Sequence, residues 1–461
     1  MPAPILVAPA ARSRDHRWQL GALSLAMLLP SLGTSIANVA LPSVQAAFGG
    51  TIQDAQWVVI AYLVTVTALL VTAGRLGDLW GKRTVLLGGV ALFAAASFSA
   101  ALAPQLWVVI VARAVQGLGA AAMMSLTLAA VADIVPKERT GSAIGLLGTV
   151  SAVGTALGPS LGGILVASFG WPAVFLFMGA VGLVAFAVAY PLLPTDSPAS
   201  PSSLAFDVPG TALLASSIAA FALAVTLTPV TAFNLVLGSA ALAGLIAFVL
   251  VEQRAKAPLV HLAMLGQRGI AGGLVSMGLV SAILMTTLVV GPFYLTGVLG
   301  LDPAAMGLLM TIGPAVAALV GVPAGRLVDR LETRAKTSAG LSAVLAGAVL
   351  MTWLPAMLGL VGYVPSLILI TAGYGVFQAA NGTALMAAAG ERRGVTSALL
   401  SLARSLGLVT GASAMGALFA FGASATAVLG VSGGEAGLRL AFLAAAFLAA
   451  LALIINLRSA R

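Results

Sequence analysis

The chain has 461 residues, 60% of them hydrophobic and only 8% charged, with a mean hydropathy of +1.11. That balance excludes a water-soluble globular domain, and in lipid the backbone must satisfy its own hydrogen bonds, so membrane-spanning helices are expected. The absence of cysteine excludes disulfides, thiolate nucleophiles and zinc–thiolate centres.

A span needs about 20 apolar residues. In chain order the sequence predicts fourteen: 18–42, 55–74, 84–103, 106–131, 141–167, 172–193, 208–228, 232–251, 270–298, 304–324, 338–358, 363–387, 394–422 and 438–457. The first apolar run lacks a cleavable leader pattern and reads as a permanent span. The weakest separations fall at Ala103-Pro104-Gln105 and Phe169-Gly170-Trp171-Pro172. With both chain ends cytoplasmic, 19 of the 22 basic residues lie on the inner side; Arg439 lies outside, and Arg113 and Arg404 lie within spans. This asymmetry sets the orientation. It also accounts for the net charge of +9 by anionic headgroups, with no nucleic acid required.

Span 1 carries a polar face of Ser31, Thr34, Ser35 and Asn38. After span 2 comes Ala73-Gly74-Arg75-Leu76-Gly77-Asp78, which recurs 251 residues later as Ala324-Gly325-Arg326-Leu327-Val328-Asp329. Glu138-Arg139-Thr140-Gly141 recurs 253 residues later as Glu391-Arg392-Arg393-Gly394. Charged phrases repeated at a fixed offset imply two copies of one bundle, 1–193 and 270–461. Between them, 194–269 holds a Pro/Ser-rich linker, the inserted spans 7 and 8, and a stretch at 252–269 that reads equally as a surface helix or a plain connection.

The repeated loop reads as a cytoplasmic gate. Gly74, Gly77 and Gly81 permit a tight turn and close approach. Asp78 sits among Arg75, Lys82 and Arg83, and Arg326 and Asp329 repeat the pair, so ion pairs there would make and break between states. The alternative is simple anchoring by basic residues. In span 4, Arg113 lies seven residues in from Leu106, roughly 10 Å deep, where a charge points to a functional interior. Gln116, Met123, Met124 and Thr127 share its face, and span 12 presents Tyr374, Gln378 and Asn381 at helical spacing. Together with the span 1 face these predict a central substrate cavity; the alternative is that Arg113 binds backbone carbonyls and the others join helices. Gly154, Gly158 and Gly162 form a doubled GxxxG in span 5, with Pro159 adding a kink. Gly158-Pro159-Ser160-Leu161-Gly162 also fits a serine-hydrolase elbow, but the two histidines, His16 and His261, lie in the tail and a loop, out of reach of Ser160.

The phrase Gly74–Arg83, the span 4 stretch Arg113-Ala114-Val115-Gln116-Gly117-Leu118-Gly119 and the span 5 stretch Gly154–Gly163 resemble three motifs of the major facilitator superfamily. The fourteen spans, Asn38-Val39-Ala40-Leu41-Pro42 and Phe206-Asp207 are similar to its drug/proton antiporter group. The resemblance implies an all-α fold of two six-helix bundles plus two inserted helices, alternating access, and a span 5 that serves as pivot and seal in exporters. Where many members carry an aspartate in span 1, five residues before the asparagine, this chain has Gly33. All thirteen acidic residues fall in loops or at span ends. Asp133 and Asp78 are therefore the proton-coupling candidates.

The leading expectation is a proton-coupled exporter of small molecules in a bacterial inner membrane. A second is an exporter or flippase of lipids or of anionic or zwitterionic metabolites with atypical coupling. A non-transporting sensor lacks an output domain, and an enzyme lacks a catalytic base. No cofactor, metal or nucleotide-binding phrase is indicated. The expected partners are substrate, protons and lipid, with a monomer as the default because one chain holds both repeats.

Overall fold

The computed structural model describes residues 13–135, 140–196, 208–227, 231–254, 267–328, 333–388, 393–424 and 433–459. The described chain folds into fourteen rods. These are α1 (Ser13–Phe48), α2 (Ile52–Trp80), α3 (Lys82–Ala101), α4 (Leu106–Ile134), α5 (Thr140–Phe169), α6 (Pro172–Leu192), α7 (Val208–Thr226) and α8 (Ala232–Arg254). They continue with α9 (Arg268–Gly297), α10 (Pro303–Val328), α11 (Thr333–Leu358), α12 (Leu360–Ala388), α13 and α14 (Gly433–Ser459). Rod α13 runs Arg393–Thr410, passes through a π-helical turn at Gly411–Met415 and ends at Gly416–Ser424. Among the described residues thirteen helices are long and apolar enough to cross a membrane; the described apolar part of α10 is the shorter Pro303–Ala317.

Local chemistry sets the breaks. Thr51 and Asp54 cap each other's backbone at the start of α2: Asp54 N–H donates to Thr51 Oγ1 at 3.1 Å and Thr51 N–H to Asp54 Oδ2 at 2.8 Å. The two weak separations in the sequence are real breaks. α3 ends before Leu102, and α5 and α6 part at Gly170, with Pro172 in the first turn of α6 where its missing N–H costs nothing.

Three helix pairings recur in the two halves. α1 packs on α5 and α9 on α13; α2 on α4 and α10 on α12; α3 on α6 and α11 on α14. This is the spatial counterpart of the repeated phrases. The broadest contact between halves is α5 with α10, joined by α1 with α9 and α2 with α13. The inserted helices pair with each other, and α7 lies along α2. Two hydrogen bonds fasten it near opposite ends: Trp57 Nε1–H to Thr226 Oγ1 at 3.1 Å and Thr72 Oγ1 to Thr211 Oγ1 at 2.9 Å. α8 is outermost and exposes Phe233, Leu235, Val236 and Leu242, a surface that suits lipid.

The expected loop at 74–83 is corrected. α2 continues to Trp80 and α3 starts at Lys82, so only Gly81 is non-helical, with φ +95°. Gly74 and Gly77 serve helix packing rather than a turn: side chains there would strike Ser125 and Leu126 of α4. Residues 255–266, most of the 252–269 stretch, and 197–207, most of the linker, lie outside the described residues.

Candidate functional site

Arg113 is fully buried. Its Nε–H donates to the Val58 carbonyl at 2.8 Å, Nη2 to the Gly33 carbonyl at 3.1 Å, and Nη1 to Gln116 Oε1. The guanidinium lies 4.1 Å from the Tyr62 ring centre, and Tyr62 donates to the Pro30 carbonyl at 2.9 Å. Gln116 passes the chain on, donating to Ser97 Oγ at 2.6 Å. Four helices, α1 to α4, are thereby stitched together. Arg113 and Gln116 do not line an open cavity in this conformation; each donor spent on a backbone or amide oxygen offsets the cost of burial. Met123 is also buried, Met124 is half-buried, and Thr127 is buried with an unpartnered hydroxyl.

The span 1 residues divide. Ser31 bonds Ser151 of α5 at 2.6 Å, and Ser35 is buried where a Cβ on Gly158 would lie 2.9 Å from its own. Asn38 donates to the Thr34 carbonyl at 2.8 Å and leaves its own Oδ1 buried without a partner. Thr34 alone of the four is partly exposed. On α12, Asn381 donates to the Gly273 carbonyl of α9 at 3.0 Å, Tyr374 buries an unpartnered hydroxyl, and Gln378 is half-buried. No hydrogen bond joins the α12 residues to Arg113 or Asn38. A groove along the end of α12 is lined by Ala379, Gly382, Thr383, Met386 and Ala387.

At the gate phrase the engaged carboxylate is one that sequence reasoning left in the linker. Asp196 accepts from Arg83 N–H at 2.8 Å, Thr84 N–H at 3.0 Å and Thr84 Oγ1–H at 2.8 Å. Arg83 Nη2 donates to the Tyr190 carbonyl at 2.7 Å, with its guanidinium 5.3 Å from the Tyr190 ring centre. The end of α6 is thus clamped to the start of α3. Partial burial pushes the Asp196 carboxyl upward, but the Arg83 and Thr84 hydrogen bonds and the Arg83 charge outweigh it, leaving it below its ordinary value. Gly81 is required here on two counts, its left-handed φ and the Asp196 side chain lying where a Cβ would go. Asp78 is exposed. The side chains of Arg75, Arg326 and Asp133, and the whole of Asp329, lie outside the described residues.

The span 5 glycines also divide. Gly154, Gly158 and Gly162 pack on α1, against Leu28, Ser35 and Ile36. The contact between halves falls instead on Pro159 and the adjacent Gly163, where Gly307 of α10 meets the Pro159 carbonyl and a Cβ on Gly163 would lie 2.9 Å from Gly307 Cα. The doubled glycine at 162–163 was the signal: two faces, two partners. A second seam is formed by Gln56 of α2 against Gly416 of α13. Gln56 is fully buried, and neither amide atom has a hydrogen-bond partner. Both seams lie on the side of the molecule away from the chain ends.

The sequence matches the family model described as Major Facilitator Superfamily over residues 23–412. It is 31% identical over 428 residues to multidrug resistance protein Stp of Mycobacterium tuberculosis, covering 90% of this chain and 78% of that one. It is 31% identical over 430 residues to the tetracenomycin C resistance and export protein of Streptomyces glaucescens, covering 91% and 79%. The riboflavin transporter RibZ of Clostridioides difficile is 28% identical over 400 residues, covering 86% and 87%. Among solved structures, a bacterial homologue of the human lysosomal transporter Spinster superposes with a TM-score of 0.73 at 15% identity, covering 98% of each chain.

Proposed function

The chain belongs to the major facilitator superfamily and is a multi-pass membrane transporter, and from that premise we propose that it exports small molecules from the cytoplasm by alternating access of one central cleft. The observation that carries this reading is the asymmetry of the seams. Gly163 on Gly307 and Gln56 on Gly416 close the side away from the chain ends. Toward the chain ends α5 exposes Gly148 and Thr149, and α13 exposes Ser401 and Arg404. With the basic residues placing the chain ends in the cytoplasm, this is the state that loads substrate from inside. The membrane is a bacterial inner membrane, and one chain is the working unit. The export direction draws on the relatives named for resistance and export.

Proton coupling in this reading rests on Asp78 and Asp133 at the helix ends, because Gly33 leaves span 1 without an acid. One observation favours the second reading, export of anionic, zwitterionic or lipid substrates with atypical coupling: Arg113 and Arg404 are cations within spans, and no hydrogen bond of Arg113 goes to a carboxylate. Flux through purified protein in proteoliposomes, across matched cationic, neutral and anionic substrates with and without a pH gradient, tests both. No flux of any of them sinks the transport mechanism. Flux unchanged by the gradient, with Asp78→Asn and Asp133→Asn silent, removes proton coupling.

A further inference from the structure

One equivalent pair of side chains is complete in the first repeat and open in the second. In the first half, Gly154 of α5 packs on α1 beside Leu28 and Ser31; in the second, Gly407 of α13 packs on α9 beside Gly278 and Ser281. This matches α5 to α13 at an offset of 253 residues and α1 to α9 at an offset of 250. Ser31 and Ser151 then correspond to Ser281 and Arg404. In the first half the pair is complete, Ser31 Oγ to Ser151 Oγ at 2.6 Å. In the second it is open: Ser281 is fully buried with a hydroxyl that has no partner. Arg404 is exposed and makes no hydrogen bond or ion pair with any described residue.

Position and surroundings give this difference a meaning. Arg404 lies five residues inside the apolar stretch Leu399–Ser424 of α13, about 8 Å from its start, on the part of the helix below the closed seam. The Arg393–Thr410 part of α13 is strongly one-sided, and its described exposed residues, Ser401 and Arg404, are both polar. A guanidinium at that depth is costly against hydrocarbon and belongs on a watered cleft. Arg113 directs three hydrogen bonds to protein oxygens, whereas Arg404, with no partner among the described residues, is free to meet a ligand. A guanidinium offers donors in a planar fork that suits an oxyanion.

We propose that Arg404 is an anion-recognition subsite on the α9–α13 wall of the cleft, which takes the carboxylate, sulfonate or phosphate group of an otherwise apolar substrate. This rests on the transporter reading and names the substrate class for it.

The test uses full-length protein in phosphatidylcholine nanodiscs and two fluorescent probes of one scaffold, dansyl-leucine and dansyl-leucinamide, which differ in the carboxylate. Wild type is expected to bind the carboxylate about ten-fold more tightly, as a hydrogen-bonded charge pair implies. Arg404→Gln should erase that preference, and Arg404→Lys should retain part of it. Adding phosphatidylglycerol identifies the natural source of the anion. Competition by the lipid, lost in Arg404→Gln, assigns the subsite to a headgroup, and no competition assigns it to a soluble anion. Equal binding of the two probes by wild type, binding of neither, or a preference that survives Arg404→Gln overturns the proposal. Flux of the neutral probe in proteoliposomes is read separately. If it persists while the preference is absent, transport stands and the anion subsite falls.

Discussion

The Arg113 guanidinium sits 4.1 Å from the centre of the Tyr62 ring, fully buried, with its hydrogen bonds directed to the Val58 and Gly33 carbonyls and the Gln116 amide. Burying a cation without an anion is tolerable only when every donor finds an oxygen and the face of the ion finds a π-system. The cluster therefore works as a clasp across four helices.

Arg113→Met should leave three oxygens without their donor and destabilise the protein by about 3 kcal/mol or more. Arg113→Lys should rescue little, because one ammonium cannot span three separated acceptors. Thermal unfolding of the detergent-solubilised protein decides this; a Lys variant as stable as wild type would refute the clasp.

Gly33 offers a gain-of-function test. A Cβ there would lie 3.3 Å from Phe93 Cζ and 3.5 Å from the Tyr62 hydroxyl, so the Phe93 ring must give by a few tenths of an ångström to admit a Cβ. An aspartate's carboxylate would stand beside Arg113 and form the buried pair that the wild type lacks. Gly33→Asp is expected to make transport more dependent on a pH gradient, read as proton-driven flux in proteoliposomes. Identical pH profiles for variant and wild type would count against it.

Gly163→Val should prise α5 from α10, because the Gly307 backbone leaves no room for a side chain. The chain has no native cysteine, so thiols introduced on the side away from the chain ends report the opening directly. Their labelling should rise in the variant. Gly148→Val, at an exposed position where no atom lies within 4 Å of a Cβ, should leave it unchanged.

Gln56 should act in the opposite sense. Both its amide atoms are buried without partners in the closed seam, a penalty of about 1–3 kcal/mol against that state. Gln56→Leu should stabilise the closed seam, lower thiol labelling on that side and slow turnover. Faster turnover, or increased labelling, would show that the glutamine is not a strained group.

Asp196 gives a pH signature. Its carboxyl is depressed below the ordinary value, so its contribution is present above the unfolded-state pKa and is lost as pH falls through the lower folded-state pKa. Asp196→Ala should cost about 1 kcal/mol at neutral pH, the usual worth of a carboxylate on a helix N-terminus. The stability gap between variant and wild type should close on acidification, and a gap independent of pH would show that the clamp is not electrostatic.

The architecture was legible in the sequence because its signals are local. An apolar run of membrane length, breaks at Pro104 and Gly170, and charges confined to helix ends are read without knowing any neighbour. Three helix pairings, α1 with α5, α2 with α4 and α3 with α6, recur as α9 with α13, α10 with α12 and α11 with α14. The site was less legible. These helices are apolar nearly all round, so periodicity does not say which side meets a partner helix, lipid or the cleft. Ser31 and Thr34 share a face on paper, yet one is bonded to α5 and the other is partly exposed.

The sequence by itself determined the class of the molecule: a duplicated helical membrane transporter whose spans, orientation signals and family motifs are written in hydropathy and short charged phrases. Tertiary structure alone decided the roles of individual polar side chains. It turned Arg113 into a clasp, placed the contact between halves on Pro159 and Gly163, recruited Asp196 from the linker and left Arg404 without a partner among the described residues. The physical reason is that a buried polar group is defined by what satisfies it. In a bundle of helices, those partners come from residues tens to hundreds of positions away.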